Sequence, residues 1–371
     1  MKGTIVHVTS VHRRFDTRIF VKMCCSIARN GYRIILLVAD GEGSEIRDGV
    51  QIVDVGRPSG RIDRIFNITR KVYMRALEFR ADLYHLHDPE LLPMGARLKR
   101  AGYRVIFDSH EDVPLQLLAK DYMSPFIRRL ISMAYGHYET MVCKKLDGII
   151  SATSLIQEKF LQRCNNVQEV ANYPILDELL GASERWDIKD KQICYVGSIG
   201  RARGIEQMCS AMQHVKSDVF LNLVGPFDDE ALHEKVAASP GWIRVIEYGL
   251  LDRSGVHEVL QRSLAGLVVL HPITNYMDAL PIKMFEYMSA GIPVIASDFP
   301  AWREIVAGND CGFLVNPMDP IEIADSIDLL VSNLGLAKRL GDNGRRAVEL
   351  KYSWATEEKK LFDFYERILS V

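Results

Sequence analysis

The sequence lacks several features that would assign it to a simple class. It has no strong excess of charge, because 46 lysines and arginines face 48 aspartates and glutamates, so nothing predicts a nucleic-acid partner. No run of about 18 apolar residues is present to predict a transmembrane helix. The seven cysteines form no CxxC pair and lie mostly in apolar segments. Buried thiols in a reducing compartment are therefore favoured over a metal or redox site.

The first residues also lack the pattern of a secretion signal. Their apolar run, Ile5 to Val8, is short and is soon followed by basic residues, so we interpret it as a first β-strand and expect a cytoplasmic protein. Walker A, G-x-S-x-G and G-x-G-x-x-G elements are absent from the sequence. Their absence disfavours P-loop, hydrolase and dinucleotide-binding enzymes.

What the sequence does contain is a regular alternation of apolar strands and amphipathic helices over 371 residues, 48% of them apolar. This length favours two domains. Continuous apolar strands separated by helices predict parallel sheets covered on both faces. The strand candidates are 5–8, 33–38, 50–55, 83–86, 105–108, 148–152, 167–171, 193–196, 219–224, 244–247, 267–270, 293–296 and 313–315.

The polar stretch from Asp177 to Lys191 is the best candidate for a linker. We therefore expect an α/β protein with two doubly wound, Rossmann-like domains, residues 1–178 and 179–353, facing each other across a cleft. A last helix, about 354–371, is expected to cross back to the first domain. Ligands of such sheets bind at the carboxyl ends of the strands, so the site is expected in the cleft.

The segment 276–304 is the most informative for chemistry. It predicts a helix from Pro281 to Ala290, with Asp278 just ahead of it and Glu286 within it. The free amides of the first turn, the helix dipole and Lys283 make an anion site, and a carboxylate can bind a sugar diol. The combination suits a nucleotide-sugar, although Asp278 as a helix cap and Glu286 as a solvated side chain are equally open.

Several blocks together resemble the retaining family-four glycosyltransferases, which have the GT-B fold, and in particular the bacterial surface-polysaccharide enzymes. The blocks are HRRFDTRIFVKM, HLHDPELLP, VIFDSHEDVP, the D-x7-E pair followed by MSAGIPVIASD, and the closing KYSWATEEKKLFDFYERIL. The resemblance spans nearly the whole chain.

The resemblance implies roles for individual residues. Glu286 would bind the donor ribose, and Asp278 would contact the 3-hydroxyl of the donor sugar, although the family has the longer glutamate there. His110 would contact the sugar near its 6-hydroxyl; the alternative is an imidazole that caps the turn with Glu111 or Asp112. Asp278, His110 and Arg203 are the predicted catalytic set.

Two phosphate-binding loops depart from the family pattern. In the segment VGSIGRARG, Ser198 replaces the usual arginine and is a donor-binding candidate, and Arg203 stands where the family has a lysine. Arg203, Lys283 and the amides near Ala279 and Leu280 are the predicted diphosphate contacts, while Arg201 is equally open as a substitute cation or a solvated charge. The family's Gly-Gly loop after the first strand is replaced by residues 10–16, so Asp16 and Arg18 are weak candidates for the acceptor side. For Asp16, a helix-capping role is equally open.

The function implied by this resemblance is transfer of a hexosyl or N-acetylhexosaminyl unit from a nucleoside diphosphate sugar to an acceptor hydroxyl, with retention. The acceptor is expected to be a lipid-linked glycan of O-antigen, capsule or exopolysaccharide synthesis. No cofactor is expected. No metal is expected either, although His85, His87 and Asp88 form an HxHD sequence. A nucleotide-sugar epimerase and a non-catalytic paralogue are the alternatives.

The small net charge hides an asymmetry between the halves. Residues 1–180 contain 26 basic and 21 acidic side chains, and residues 181–371 contain 20 and 27. Arg128, Arg129, Lys144 and Lys145 flank an apolar-rich helix in the basic half. This pattern suits a peripheral contact with an anionic membrane surface, and a solvated helix face is the alternative.

Overall fold

The chain is described here from a computed structural model, which describes residues 2–118, 123–176, 186 and 189–370. It divides into two compact units, Met1–Asn172 with Trp354–Val371, and Tyr173–Ser353. The predicted boundary after residue 178 and most of the predicted linker lie outside the described residues. The seven cysteines are buried and free. None of the helices in the described ranges has the length and apolarity that a membrane span requires.

Unit 1 is built on an eight-stranded sheet in the order β3-β4-β2-β1-β5-β6-β7-β8. All neighbouring strands are parallel except the edge strand β3, which pairs antiparallel with β4. The sequence pattern did not predict β3, since its three residues are too few and too exposed to show alternation. The strands are β1 Thr4–Val8, β2 Arg33–Val38, β3 Glu45–Arg47, β4 Val50–Asp54, β5 Leu83–Leu86, β6 Val105–Ser109, β7 Gly148–Ser151 and β8 Val167–Glu169.

The helices of unit 1 lie between the predicted strands, apart from the last one, which follows unit 2. They are α1 Cys25–Arg29, α2 Arg61–Asp63, α3 Thr69–Glu78, α4 Leu92–Arg100, α5 Val113–Leu118, α6 Pro125–Cys143, α7 Ser154–Leu161 and, after unit 2, α16 Trp354–Ser370. A π-helix, Thr17–Cys24, leads into α1, a second, Arg64–Ile68, leads into α3, and a 3-10 turn, Pro89–Leu91, leads into α4. The short α5 was not predicted.

Unit 2 has a six-stranded, fully parallel sheet in the order β11-β10-β9-β12-β13-β14. Its strands are β9 Gln192–Val196, β10 Phe220–Val224, β11 Val245–Gly249, β12 Gly266–Val268, β13 Val294–Ser297 and β14 Gly312–Val315. Its helices are α8 Ile205–His214, α9 Glu230–Ala237, α10 Arg253–Arg262, α11 Thr274–Met277, α12 Ile282–Ser289, α13 Pro300–Val306, α14 Pro320–Ser332 and α15 Leu334–Leu350, with 3-10 turns Arg201–Arg203 and Pro240–Arg244.

The predicted fold class is confirmed: both units are parallel α/β sheets, and the last helix belongs to the first unit. The cause is visible in burial, since the central strands are mostly apolar and nearly all of their residues are buried. In unit 2 one apolar cluster includes Ile193 and Leu223 and another includes Val268 and Phe285. A parallel sheet is stable only when both faces are removed from water in this way.

A cluster of buried aromatic polar side chains holds α16 to the sheet of unit 1. Nδ1 of His85 lies 2.5 Å from the hydroxyl of Tyr365, and that hydroxyl lies 3.1 Å from Nε2 of His7. Nδ1 of His7 lies 2.9 Å from Nε2 of His87, whose Nδ1 lies 3.1 Å from Asp108. All of these side chains are fully buried, so their hydrogen bonds to one another replace those lost to water.

These three histidines predict that unit 1 loses stability in mild acid. Burial is the main reason that the pKa of His7, His85 and His87 is lowered in the folded chain, whereas an unfolded histidine titrates near 6.5. Below about pH 6.5 the unfolded chain therefore binds protons that the folded chain does not. The free energy of unfolding should fall by up to about 1.4 kcal/mol per pH unit for each histidine, until the folded pKa is reached.

Urea unfolding between pH 7.5 and 5.5 measures this slope. His85→Gln should be less stable at pH 7.5 but should lose less stability on acidification than the wild type. His137→Gln, which replaces an exposed histidine of α6, should keep the wild-type slope. Equal slopes in wild type and His85→Gln would contradict the assignment.

Candidate active site

Each sheet has one point at which the strand order reverses, and the candidate residues cluster there. In unit 2 the reversal lies between β9 and β12, and in unit 1 it lies between β1 and β5. Loops that leave the carboxyl ends of such strands diverge and leave room for a ligand. The loop after β9 contains Ser198, Arg201 and Arg203, and the loop after β1 contains His12 and Asp16.

Glycines shape the loop after β9. Gly197 has a φ of +124°, and a Cβ there would lie 3.1 Å from Nζ of Lys283. Gly204 has a φ of +80°, and its Cβ would lie 2.0 Å from the carbonyl oxygen of Val269. Only glycine adopts these conformations and permits this approach at little cost. The loop therefore brings its backbone close to the Lys283 ammonium group.

Lys283 is the most unusual charge in unit 2. Its Nζ lies 3.6 Å from the centre of the Tyr195 ring, and it is buried without a hydrogen-bond partner among the described residues. Burial, together with the nearby positive charge of Arg203, holds the pKa of Lys283 well below its usual range. The negative charge of Glu286 opposes this shift but does not outweigh burial, so the amine is left without a hydrogen-bonded anion and is suited to receive one.

Arg203 is the second cation of this site. Its Nη1 donates to the carbonyl oxygen of Ser198 at 3.2 Å, and that oxygen also accepts from the Tyr195 hydroxyl at 2.7 Å. The Ser198 hydroxyl donates instead to Asp228. Arg201 is 64% exposed, with Nε 3.4 Å from Glu206. Arg201 was open as a substitute cation or as a solvated charge, and its exposure in this structure fits a solvated charge.

Glu286 lies in the interior-facing part of α12. It is only 9% exposed, and its Oε1 accepts a 2.8 Å hydrogen bond from Nη1 of Arg253, at the start of α10. The solvated-side-chain alternative for Glu286 is therefore wrong. Arg253 itself is 58% exposed, so it orients the carboxylate while leaving the second oxygen for other donors.

The segment ahead of α12 differs in detail from the prediction. Pro281 is the N-cap residue and not the first helical residue, and α12 begins without a side-chain cap. Asp278 is exposed and ends α11, so its cap alternative is wrong for α12. The amide of Ala279 donates to Tyr276 O at 3.2 Å, and its carbonyl accepts from the buried Trp302 indole at 2.7 Å.

The role predicted for the Ala279 amide therefore needs correction, because in this structure that amide already has an acceptor. Leu280, next in the chain, precedes Pro281 and leads into the uncapped first turn of α12. Amides of an uncapped first turn remain available to an anion. The uncapped first turn of α12 thus lies on the same short helix as Lys283 and Glu286, so one element offers free amides, an amine and a carboxylate.

In unit 1, His110 is paired with a histidine that the sequence analysis did not single out. Nε2 of His110 lies 3.2 Å from Nε2 of His12, and its Nδ1 lies 3.5 Å from Asp108. No hydrogen bond from His110 to Glu111 or Asp112 is present in the described part of the chain, so the turn-capping alternative is not what the structure shows.

Carboxylates surround His12. It lies 3.5 Å from Asp16 and 3.4 Å from Asp88. Burial opposes its charged form, but the hydrogen bond with Asp16 and the negative charges of Asp88 and Asp16 outweigh burial and raise its pKa. The pKa of Asp16 is lowered to about 2, since His12 and the amides of Ile19 and Arg18 outweigh its burial.

The two weak acceptor-side candidates have structural roles. Asp16 caps the π-helix by accepting from the amides of Arg18 and Ile19 at 2.8 and 2.9 Å. Arg18 is buried, and its guanidinium donates to both oxygens of Asp108 and to the carbonyl of Val170. The prediction that Arg18 faces a ligand is therefore wrong, because its donors point into the protein.

In the described ranges one group of side chains could hold a metal, and it combines the two histidines of the HxHD sequence with His7. Nitrogens of His7, His85 and His87 lie within 4.8 Å of one another, and most of them are hydrogen-bonded as described above. Asp88 is not part of this group, because it accepts from the Ser10 amide at 2.5 Å and the Thr9 hydroxyl at 3.0 Å. Metal independence stays a prediction.

His12 and Arg253 were not predicted from the sequence, for different reasons. His12 stands four residues before Asp16 in a loop at the end of the first strand, a spacing that was visible in the sequence. Arg253 lies 33 residues before Glu286, and no local pattern joins the two.

Comparison with known proteins gives a consistent result. Residues 178–347 match a family described as glycosyl transferases group 1, and residues 17–170 match one described as glycosyltransferase family 4. An MMP alpha-(1->4)-mannosyltransferase of Mycolicibacterium hassiacum is 22% identical over 78% of this chain and 72% of the relative.

Two solved structures share the fold. The sucrose-phosphate synthase of Thermosynechococcus elongatus superposes with a TM-score of 0.79 at 16% identity, over 99% of each chain. The Anabaena HepE structure in complex with UDP-glucose superposes with a TM-score of 0.74 at 15% identity, over the full length of both chains. The two family matches, one in each unit, and these structural neighbours identify the chain as a glycosyltransferase with the GT-B fold.

Proposed function

We propose that this glycosyltransferase moves a hexosyl or N-acetylhexosaminyl unit from a nucleoside diphosphate sugar to a hydroxyl of a lipid-linked glycan, with retention at the anomeric carbon and without a metal ion. The observation on which this proposal depends is Lys283, whose buried amine has no hydrogen-bond partner among the described residues and lies close to the positive charge of Arg203. A diphosphate supplies the negative charge that these two side chains lack. The UDP-glucose bound by Anabaena HepE supports a donor of this class.

The donor's remaining parts have candidate partners on the same elements. Glu286, oriented by Arg253, accepts hydrogen bonds from the ribose hydroxyls. Asp278, three residues ahead of Pro281 and exposed, contacts the sugar; because its side chain is one methylene shorter than the family's glutamate, its reach is about 1.5 Å shorter. His110 is the proposed contact of unit 1 with the sugar near its 6-hydroxyl.

In this mechanism the protein stabilises charge and does not form a covalent bond. The bond between the anomeric carbon and the diphosphate breaks while the acceptor oxygen attacks from the same face, and the departing phosphate oxygen receives the acceptor's proton. Negative charge grows on the diphosphate as this bond breaks. Lys283, Arg203 and the first-turn amides of α12 stabilise that charge, which is the main electrostatic contribution expected of such a site.

A peripheral contact with the inner face of the cytoplasmic membrane is part of the proposal. Phe126 and Leu130, one helical turn apart on α6, are 76% and 57% exposed. Arg129 is exposed on the same turn, and Lys144 and Lys145 are exposed at the other end of the helix, just past Cys143. An apolar helix face bordered by basic side chains is the arrangement that binds an anionic bilayer surface, where a lipid-linked acceptor resides.

Product analysis tests the proposed reaction. With an alpha-linked donor and a lipid-linked acceptor, proton NMR of the product should show an alpha linkage, and excess EDTA should leave the rate unchanged. A beta linkage would refute retention, and a rate abolished by EDTA and restored by a divalent metal would refute metal independence. Conversion of the donor to a second nucleotide-sugar without acceptor would favour an epimerase, and donor binding without turnover would favour a non-catalytic paralogue.

Replacement of Glu286 should weaken donor binding selectively. Glu286→Ala removes a charged hydrogen-bond acceptor, so the Kd for UDP should rise at least tenfold, while stability changes little because Arg253 is largely exposed. Calorimetric titration with UDP measures this effect. Glu230→Ala, at an 84% exposed position of unit 2, is the matched control and should bind UDP as the wild type does; equal affinities in all three proteins would refute the role of Glu286.

Lys283→Met should separate ligand binding from folding. It removes a buried amine without a hydrogen-bond partner in the described structure, so the free enzyme should stay about as stable, while the Kd for UDP rises at least tenfold. Because the pKa of Lys283 is low and a diphosphate would raise it, UDP binding should take up a proton, and affinity should fall as the pH rises. Titration in buffers of different ionisation enthalpy measures the proton uptake.

The methionine variant should lose this proton uptake. Arg201→Met, which removes an exposed cation of the same loop, should keep both the affinity and the uptake. A wild-type response in Lys283→Met would remove Lys283 from the diphosphate site.

A further inference from the structure

Unit 1 contains a cavity of about 770 Å³ that none of the roles above uses. It is bounded by α3, α4, α5, α6 and the second π-helix, and its wall is largely apolar and aromatic. Ile65, Phe66, Met94, Ile131, Tyr135 and Tyr138 are among its lining residues. Its volume is within the range of small-molecule sites, and Ile65, Phe66 and Ile131 of its lining are 37%, 69% and 40% exposed.

The charged residues of this cavity are mainly basic. Arg61, Arg64, Arg70 and Arg97 line it, against Glu90 and Glu111. Glu90 accepts a 2.9 Å hydrogen bond from Nε of Arg64, so one of these acidic charges is already balanced. The wall thus combines hydrocarbon contact with guanidinium groups, the donors best suited to phosphate oxygens.

A buried hydroxyl also lacks a partner here. The oxygen of Tyr135 is inaccessible to solvent and forms no hydrogen bond with any of the residues that the structure describes. Burial raises the pKa of Tyr135, so the hydroxyl stays protonated and remains a donor. Most buried polar groups are hydrogen-bonded, so this hydroxyl is a donor that remains available to an acceptor.

The cavity reaches the carboxyl-terminal edge of the unit 1 sheet, where His110, the proposed sugar contact of this unit, lies. Val11 and Glu111 line it, and their chain neighbours His12 and His110 are the histidine pair at the carboxyl end of β1 and β6. A molecule in the cavity therefore extends toward this pair. A purely structural lipid has no need to reach that edge, whereas an acceptor has to bring its hydroxyl there.

We infer that this cavity binds the lipid part of the acceptor: a single hydrocarbon chain lies against the apolar wall, and the phosphate that joins it to the glycan binds the arginines. This inference rests on the proposed function, since it assigns the acceptor of that reaction to a site in unit 1. It commits to a phosphate-linked lipid acceptor and not to a bulk membrane phospholipid or a partner protein.

Binding of a water-soluble C15 prenyl diphosphate to the whole protein tests the inference. Wild type should bind it at least tenfold more tightly than inorganic pyrophosphate or dihexanoyl phosphatidylglycerol. Ile131→Asp, which places a charge in the wall, and Ile131→Trp, which fills the cavity, should each weaken binding at least tenfold. Arg61→Gln combined with Arg70→Gln should do the same. Circular dichroism and thermal unfolding identify variants that fail to fold. If Ile131→Asp fails to fold, the tryptophan variant and the double arginine variant still test the inference.

Matched controls define the site. Ile62→Asp replaces an exposed isoleucine of α2 outside the cavity lining, and Arg75→Gln replaces an exposed arginine on the same helix as Arg70; both should bind like the wild type. Equal binding of pyrophosphate or phosphatidylglycerol, or equal loss in the controls, would overturn the inference. UDP affinity, which depends on unit 2, should be unchanged in every cavity variant, so failure of the donor site is detected separately.

Discussion

The buried ion pair between Arg18 and Asp108 is the interaction on which unit 1 depends. Arg18 follows β1, Asp108 lies in β6, and the guanidinium also reaches the carbonyl of Val170 after β8. Removing one partner of such a pair costs about 3–5 kcal/mol, because the other charge stays buried. The same carboxylate touches His87 and lies 3.5 Å from His110. It therefore links the core histidines to the histidines at the sheet edge.

Unit 2 is organised around a different constraint, the close approach of backbone to a buried cation. A Cβ at Gly197 would meet Lys283, and a Cβ at Gly225 would lie 2.1 Å from the carbonyl of Gly197. The ends of β9 and β10 are thus drawn together by the absence of side chains. Fixed amides and cations in such a site need no reorganisation when charge develops on a ligand.

Features of the structure that depend on contacts between residues close in the sequence could be predicted from the sequence, and features that depend on distant residues could not. The central strands, the capping by Asp16 and the placement of Glu286 followed from periodicity, spacing and resemblance, all visible within a short segment. The partner of Arg18 lies 90 residues away and that of Glu286 33 residues away. Short-range patterns contain no information on such pairs. For this reason Arg18 was predicted to face a ligand, and Arg253 was not predicted as a partner of Glu286. The edge strand β3 and helix α5 were too short to show a period.

The return of α16 to unit 1 has a consequence for how the chain folds during synthesis. Tyr365 supplies the hydroxyl between His7 and His85, although its codon is translated after the whole of unit 2. Until α16 has been synthesised, Nδ1 of His85 and Nε2 of His7 lack the hydroxyl that they contact in the folded unit, whereas the continuous segment that forms unit 2 has already been made. The second half of this protein can therefore mature before the first, the reverse of the usual N-terminal order.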